Sequence, residues 1–235
     1  EGTSEQGIVQ IMKDENKNGI PDDTWYEIKG SDHFLRGFKK NYQICYFNKG
    51  IDADVFWTDN SYSSGLIFKN QFHTQPYYPM AEYFPQINRD SIIFTGSLLP
   101  GRLKENNSQI VSERSYFGYA DNTPFKGITT PLIPDNPYTP QIEGCGGDGI
   151  DISWAVDELD NYLNLDEIDF IKIYTGVNLN AGSLGEISTE IAGIIVVSPV
   201  PGVSGQTKMI VPVNLPVSIP SGGQISPEVM VFQNG

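Results

Sequence analysis

Oxygen-bearing side chains recur between Asp14 and Asp23 in an alternation that turns successive groups toward one point: Asp14, Asn16 and Asn18, then Gly19, then Asp22 and Asp23. That alternation suits a hard cation, which takes six to eight oxygens at about 2.3 to 2.6 Å, and the turn closing such a loop needs glycine near its sixth position. Gly19 is sixth counting from Asp14. Calcium is the expected cofactor, with Asp14, Asn16, Asn18, Ile20, Asp22 and Asp23 as candidate ligands. A helix–loop–helix site would place a bidentate Glu at the twelfth position, which here is Trp25, so the loop is not an EF-hand. The same residues also favour a metal-free turn around Pro21, because Asn, Asp and Gly supply turn chemistry unaided.

The elements that must position this loop read as β-strands. Gly7–Met12 leads into it and Thr24–Lys29 leaves it, so the loop joins two strands. Tyr42, Ile44 and Tyr46 alternate within Asn41–Asn48 as in a half-buried strand. Asp54–Thr58 and Gly65–Phe68 read as a hairpin closed by Asp59–Ser64, and Ser91–Leu99 is a further strand. Tyr116–Tyr119 reads as a short strand. Gly149–Val156 and Ile168–Thr175, rich in Ile, Phe and Trp, form the expected core pair, and Asp157–Glu167 between them carries a weak helical pattern. After Gly193 the composition shifts to Val, Ile, Pro, Ser and Gly, with candidate strands at Ile194–Ser198, Met209–Val213 and Val229–Phe232. With no heptad, repeat or long amphipathic helix, the pattern predicts an all-β fold, an antiparallel β-sandwich or jelly roll. The expected organisation is one sandwich over 1–193 and an appended β-rich segment over 194–235.

The segment Phe72-His73-Thr74-Gln75-Pro76-Tyr77-Tyr78-Pro79, continuing to Tyr83-Phe84-Pro85, is too broken by proline for a regular element. It is read as an aromatic loop, a type of segment that supplies rigid contact area for ligands. Tyr77, Tyr78 and His73, with Trp57 from the preceding hairpin, are the candidate ligand-binding residues, and Tyr77 and Tyr78 are expected to be exposed because neighbours in an extended segment cannot both easily point inward. Phe72, Tyr83 and Phe84 are expected to close over the core instead.

Other chemistry is excluded by what is missing. The chain has two histidines, His33 and His73, and no His-Glu-x-x-His, which argues against catalytic zinc. No Gly-x-Ser-x-Gly elbow exists. Gly144–Gly149 matches Gly-x-Gly-x-x-Gly, but a proline-rich loop precedes it and a strand follows, the wrong context for a dinucleotide. It reads as a glycine turn presenting Asp148 and Asp151, either for plain turn chemistry or for a second ion. Cys45 and Cys145 permit one long-range disulfide or two buried thiols.

With 29 acidic against 15 basic residues among 235, the net charge is −14, so nucleic acid is not an expected partner. Twelve Tyr, twelve Phe and three Trp place that charge on a folded surface rather than a disordered one. No apolar run approaches the roughly 20 residues of a membrane-spanning helix. The sequence carries no leader or lipid-attachment cysteine at its front, so any export signal or anchor is expected upstream of Glu1.

Several stretches together resemble a family of secreted cell-surface lipoproteins of Bacteroidetes, PKD-associated in many descriptions. They are Gly7-Ile8-Val9-Gln10, Asp14-Glu15-Asn16-Lys17-Asn18-Gly19, Pro21-Asp22-Asp23-Thr24-Trp25-Tyr26-Glu27, Trp57-Thr58-Asp59-Asn60, and Phe72-His73-Thr74-Gln75 with Tyr77-Tyr78-Pro79. Gly118-Tyr119-Ala120-Asp121-Asn122, Asp151 to Asp157, Ile168 to Lys172 and Gly185 to Glu190 complete the match, which spans roughly residues 1 to 193 in order. The loop itself is also similar to those of dockerins and type-3 thrombospondin repeats. The resemblance implies a jelly roll on the outer face of the outer membrane, lipid-anchored through sequence upstream of this chain and working beside a TonB-dependent nutrient or vitamin B12 transporter. The implied ligand is a glycan, a corrinoid or a peptide. It supplies no catalytic residues.

The reading that follows is a non-enzymatic, calcium-stabilised surface protein that binds a ligand or assists a transporter. The alternatives are a polysaccharide-acting enzyme using an unidentified Asp/Glu pair and a purely structural subunit of an outer-membrane assembly.

Overall fold

The computed structural model describes residues 4–71, 76–106, 109–122, 148–182, 185–191, 193–197 and 209–213. Among them the chain is all-β and antiparallel, with short 3-10 turns at Ser31–Phe34 and Ile152–Trp154. In chain order the strands are β1 (Gly7–Met12), β2 (Tyr26–Ile28), β3 (Lys39–Phe47), β4 (Val55–Asp59), β5 (Ser64–Ile67) and β6 (Ser91–Leu98). They continue with β7 (Leu103–Asn106), β8 (Gln109–Ser112), β9 (Ile150–Asp151), β10 (Ala155–Val156), β11 (Phe170–Thr175), β12 (Gly193–Val197) and β13 (Met209–Val213). No helix among the described residues is long and apolar enough to cross a membrane.

Two compact units divide the chain. Unit 1 comprises Glu1–His33, Arg114–Thr175 and Thr189–Gly235; unit 2 comprises Phe34–Glu113 and Gly176–Ser188.

Unit 1 holds a sheet of order β10-β2-β1-β11 and a second of order β12-β13-β9. β1 is central because its Gly-Ile-Val-Gln-Ile-Met run is apolar on both faces: Ile8, Val9, Ile11 and Met12 are all fully buried. Near-continuous apolar runs mark strands covered on both sides. Each such side chain contributes about 1.5 to 3 kcal/mol through burial. The core of Val9, Ile11, Ile28, Ala120, Ile150, Ile152 and Ala155 draws on both sheets, which is the packing of a β-sandwich. β1 pairs with β2 (Gln10↔Glu27, Ile11↔Tyr26), so residues 13–25 connect two sheet neighbours, as the sequence predicts.

Unit 2 holds a sheet of order β5-β4-β3-β6 and the hairpin β7-β8. The predicted hairpin over 54–68 forms with Thr58 opposite Ser64. β3 carries Tyr42 and Ile44 into the core while Gln43 stays exposed.

Several expectations are corrected. Gly149–Val156 and Ile168–Thr175 are not neighbours, since β10 and β11 sit at opposite edges of one sheet. The first is also interrupted, where the Asp151 carboxylate accepts from Ser153 N–H at 2.8 Å and starts a 3-10 turn. Tyr116–Tyr119 is bent chain, and pairing resumes only at the Gly7↔Ala120 bridge. No helix forms over 157–167, because the Asp157 carboxylate takes the N–H groups of Leu159 and Asn161 at 2.8 and 2.9 Å. Short polar side chains that bind nearby backbone offer an alternative to the helical ladder. The candidate strands after Gly193 form as β12 and β13, and β13 pairs with β9 through Met209↔Asp151 and Ile210↔Ile150. Val229–Phe232 lies outside the described residues.

Candidate functional site

The Asp14–Asp23 loop folds around its own side-chain oxygens. Asp14 Oδ1 accepts from Asn18 N–H at 3.1 Å and Oδ2 from Gly19 N–H at 2.7 Å. Asn16 Oδ1 accepts from Asn18 N–H at 3.0 Å and Asn18 Oδ1 from Ile20 N–H at 2.7 Å. The amide nitrogens of Asn16 and Asn18 both reach the Asp22 carboxylate, at 3.2 Å and at 3.1 and 3.3 Å. The Ile20 carbonyl accepts from Asp22 N–H at 2.8 Å, and its side chain is exposed. Asp23 has a bracing role, its Oδ2 accepting from Glu15 N–H at 3.0 Å. Lys17 and Gly19 have φ of 57° and 73°, the left-handed backbone that lets the loop curl.

Asp14, Asn16, Asn18 and Asp22 therefore converge, tied by amide-to-carboxylate hydrogen bonds. Both amide oxygens already accept from backbone N–H groups, those of Asn18 and Ile20, so a hard cation would have to draw these side chains round to add their oxygens to the two carboxylates. That donor set fits calcium. Among the described residues no group of three or more His, Cys, Asp or Glu side chains is placed to hold a metal ion, so the fit depends on amide and carbonyl oxygens beside two carboxylates. Asp169, which the spacing argument missed, holds the loop from outside, its Oδ2 accepting from Asp14 N–H at 2.7 Å while its own N–H donates to the Met12 carbonyl at 2.9 Å. It lies 155 positions from Asp14, beyond the reach of any local pattern.

In unit 2 the candidate ligand residues separate. Tyr78 is buried, contrary to the expectation of an exposed pair, and donates its hydroxyl to the Asn88 carbonyl at 2.6 Å. Burial pushes its phenol up, with the charge of Asp90 acting the same way. Tyr77 is half-buried and bonded to Asn70 and Glu186. The segment bends at Tyr77 and Tyr78, so the opposed side-chain directions of an extended dipeptide do not apply. Trp57 is half-buried beside Gly65, where a Cβ would lie 2.6 Å from its Cζ2, so only glycine leaves the indole its place. Tyr83 and Phe84, expected to close over the core, are 65% and 49% exposed. His73 and Phe72 lie outside the described residues. So does Cys145, while Cys45 is a free, half-buried thiol.

An extensive polar network lies in unit 1 and was missed from sequence. His33 Nδ1 accepts from Gly30 N–H at 3.1 Å and lies 2.9 Å from the Tyr119 hydroxyl. The ring hydrogen therefore sits on Nε2 and is donated to Glu27 Oε1 at 2.9 Å. Glu27 Oε2 also accepts from Tyr174 at 3.1 Å and Gln10 at 3.2 Å. Tyr119 accepts from Asp32 N–H at 2.9 Å, and Ser115 donates to Asp32 Oδ2 at 2.7 Å. These groups are buried among themselves, which assigns them to holding the 30–33 and 115–119 segments together. Asp148 and Asp151 likewise serve backbone, at Asn122 N–H (2.8 Å) and Ser153 N–H (2.8 Å), the turn chemistry the glycine motif allowed.

Asp121 sits beside this network with φ 49°, its Oδ2 accepting from Glu190 N–H at 2.8 Å. Burial pushes its carboxyl up to about 6, the nearby Glu190 charge adds to that, and the hydrogen bond works against both. A carboxyl raised on folding ionises first in the unfolded chain. Its destabilising effect is absent below about pH 4, grows between pH 4 and 6, and is complete above that. Asp121→Asn, which tolerates the left-handed backbone, should be more stable than the parent at pH 7.5 by about 1 to 2 kcal/mol after solvent screening. Melting curves between pH 3.5 and 8 check this; a difference independent of pH would refute it.

Neither a protein-family model nor a curated protein matches the chain.

Proposed function

We propose that the chain is a non-enzymatic binding module, a β-sandwich of jelly-roll type stabilised by calcium in the Asp14–Asp23 loop. In this reading it is displayed at a cell surface, where it captures a glycan, corrinoid or peptide for a TonB-dependent outer-membrane transporter. The observation that carries the calcium reading is the convergence of Asp14, Asn16, Asn18 and Asp22 within one connection between adjacent strands. The surface location, the lipid anchor and the transporter rest on the ordered motifs quoted above. The non-catalytic reading is supported by the work the buried carboxylates Asp32, Asp148 and Asp151 do for their own chain.

Calcium at a hundredfold excess over its dissociation constant stabilises the state that binds it by about 2.7 kcal/mol. The expected result is a Tm roughly 5 to 10 °C higher in calcium than in chelator. Asp14→Ala should remove that difference. Identical melting in calcium and chelator would reduce the loop to a turn. Partner and ligand are tested by recovering the native protein from solubilised outer membrane and identifying co-purifying proteins and bound small molecules by mass spectrometry. A transporter subunit supports the accessory role, a bound small molecule supports stand-alone capture, and product formation from a polysaccharide library would overturn both in favour of an enzyme.

A further inference from the structure

In unit 2 the chain reverses between Leu179 and Ile187. Ala181 N–H donates to the Gly185 carbonyl at 2.6 Å, Gly185 N–H to the Gly182 carbonyl at 3.1 Å, and Ile187 N–H to the Leu179 carbonyl at 3.1 Å. Gly185 has φ 96°, and a Cβ there would lie 2.1 Å from Asn70 Nδ2, so only glycine admits Asn70 to the turn. From Asn70 a directed relay runs inward. Asn70 Nδ2 donates to the Tyr77 hydroxyl at 3.1 Å, and Tyr77 is bonded to the Glu186 carboxylate. Burial first, then the hydrogen bond to Glu186 and after it the Glu186 charge, push the Tyr77 phenol well above its ordinary range, so it keeps its proton and is the donor.

The relay ends on an orphan. Glu186 Oε2 is buried and has no hydrogen-bond partner. A buried acceptor left unsatisfied costs free energy, and in native proteins such a group points to an occupant. One neutral donor leaves most of a carboxylate's charge uncompensated, whereas a charged donor supplies a hydrogen bond and a counter-charge together. With one oxygen held by Tyr77, a single oxygen is open, which matches the point charge of an ammonium rather than the two-pronged guanidinium. A divalent metal is a poor fit, because one carboxylate, one amide and one tyrosine hydroxyl supply far fewer than the six to eight oxygens it takes.

We propose that Asn70, Tyr77 and Glu186 form a site for the protonated primary amine of a small molecule, with Glu186 Oε2 accepting from the ammonium. All three residues are half-buried and the Glu186 Oε2 atom itself is buried, so an amine reaches it only where the covering side chains give way. The inference rests on the binding-module reading and names the ligand chemistry at Tyr77; it does not depend on calcium.

The test is a titration of the full-length chain with propylammonium chloride, read by the 13C shift of the Glu186 carboxyl and by calorimetry, with tetramethylammonium chloride as the cation lacking N–H. Saturable binding of propylammonium, not of tetramethylammonium, is expected, weakened about tenfold or more in Glu186→Gln. Tyr77→Phe should weaken it by a smaller factor. Absence of saturation in the parent chain would overturn the proposal and leave water as the occupant; so would equal affinity in a folded Glu186→Gln. If a neutral oligosaccharide bound at Tyr77 while amines did not, the amine site would fall and the binding-module reading would stand. No ligand of either kind would bring both down.

Discussion

Gly30→Ala should destabilise unit 1 by about 3 kcal/mol or more, enough to leave much of it unfolded at moderate temperature. A Cβ at residue 30 would lie 2.5 Å from Tyr119 Cζ, 2.7 Å from Cε2 and 2.8 Å from the Phe117 carbonyl oxygen. The ring cannot retreat, because its hydroxyl is fixed by Asp32 N–H at 2.9 Å and by His33 Nδ1 at 2.9 Å. The backbone oxygen cannot retreat either, since it accepts from Ser31 N–H at 3.0 Å and the adjacent Gly118, at φ 87°, faces the Gly30 Cα. Ordinary overpacking costs about 1 to 3 kcal/mol, and this site lacks the slack that keeps the value low. Denaturation followed by fluorescence reads the loss through Trp25 and Trp154 of unit 1, with Trp57 of unit 2 as an internal comparison. A variant as stable as the parent would mean that the Gly30–Gly118 contact is looser than described.

Glu27→Ala is expected to cost about 3 to 5 kcal/mol. The carboxylate accepts from His33, Tyr174 and Gln10 at once, and the His33 and Glu27 side chains are 3% and 13% exposed. Alanine would take one acceptor from three donors together, and a buried group that loses its hydrogen bond costs about 1 to 3 kcal/mol before relaxation. Glu27→Gln keeps an acceptor but turns an N–H toward one of the same donors, so its loss should fall between parent and alanine. Urea midpoints for the three proteins check the order. If Glu27→Ala and Glu27→Gln lost the same amount, packing rather than acceptor chemistry would be the cause.

Local signals in the sequence reached a good part of the fold. β-Branched and aromatic runs placed β1, β3, β4, β6, β11 and the β12–β13 pair to within a few residues, and the all-β antiparallel class followed from their recurrence. The connection carrying Asp14 to Asp23 was legible because all its side chains lie within one turn of chain, where spacing alone sets direction. Tyr116–Tyr119 looked like a strand, but the Tyr116 N–H and the Phe117 carbonyl are claimed by the Ser31 hydroxyl and N–H, not by a neighbouring strand. The 157–167 pattern looked helical until one Asp side chain captured the N–H groups a helix would have used. Tyr77 and Tyr78 looked like an exposed pair, an inference that held only for extended chain.

By itself, then, the sequence determined the strand-forming segments, the acidic surface, the absence of recognisable nucleophile or zinc motifs, and the oxygen-rich loop, since each depends on residues adjacent in the chain. Only the tertiary structure decided which strands pair, which tyrosine is buried and where the polar networks close. Glu27 meets Tyr174 across 147 positions, Asp32 meets Ser115 across 83, and Asp14 meets Asp169 across 155. No local propensity encodes such contacts. They exist because a buried donor without an acceptor is costly, so the folded chain brings together whichever distant groups can satisfy one another. Among the described residues Glu186 gives the binding proposal its direction, a buried acceptor oxygen with no hydrogen-bond donor.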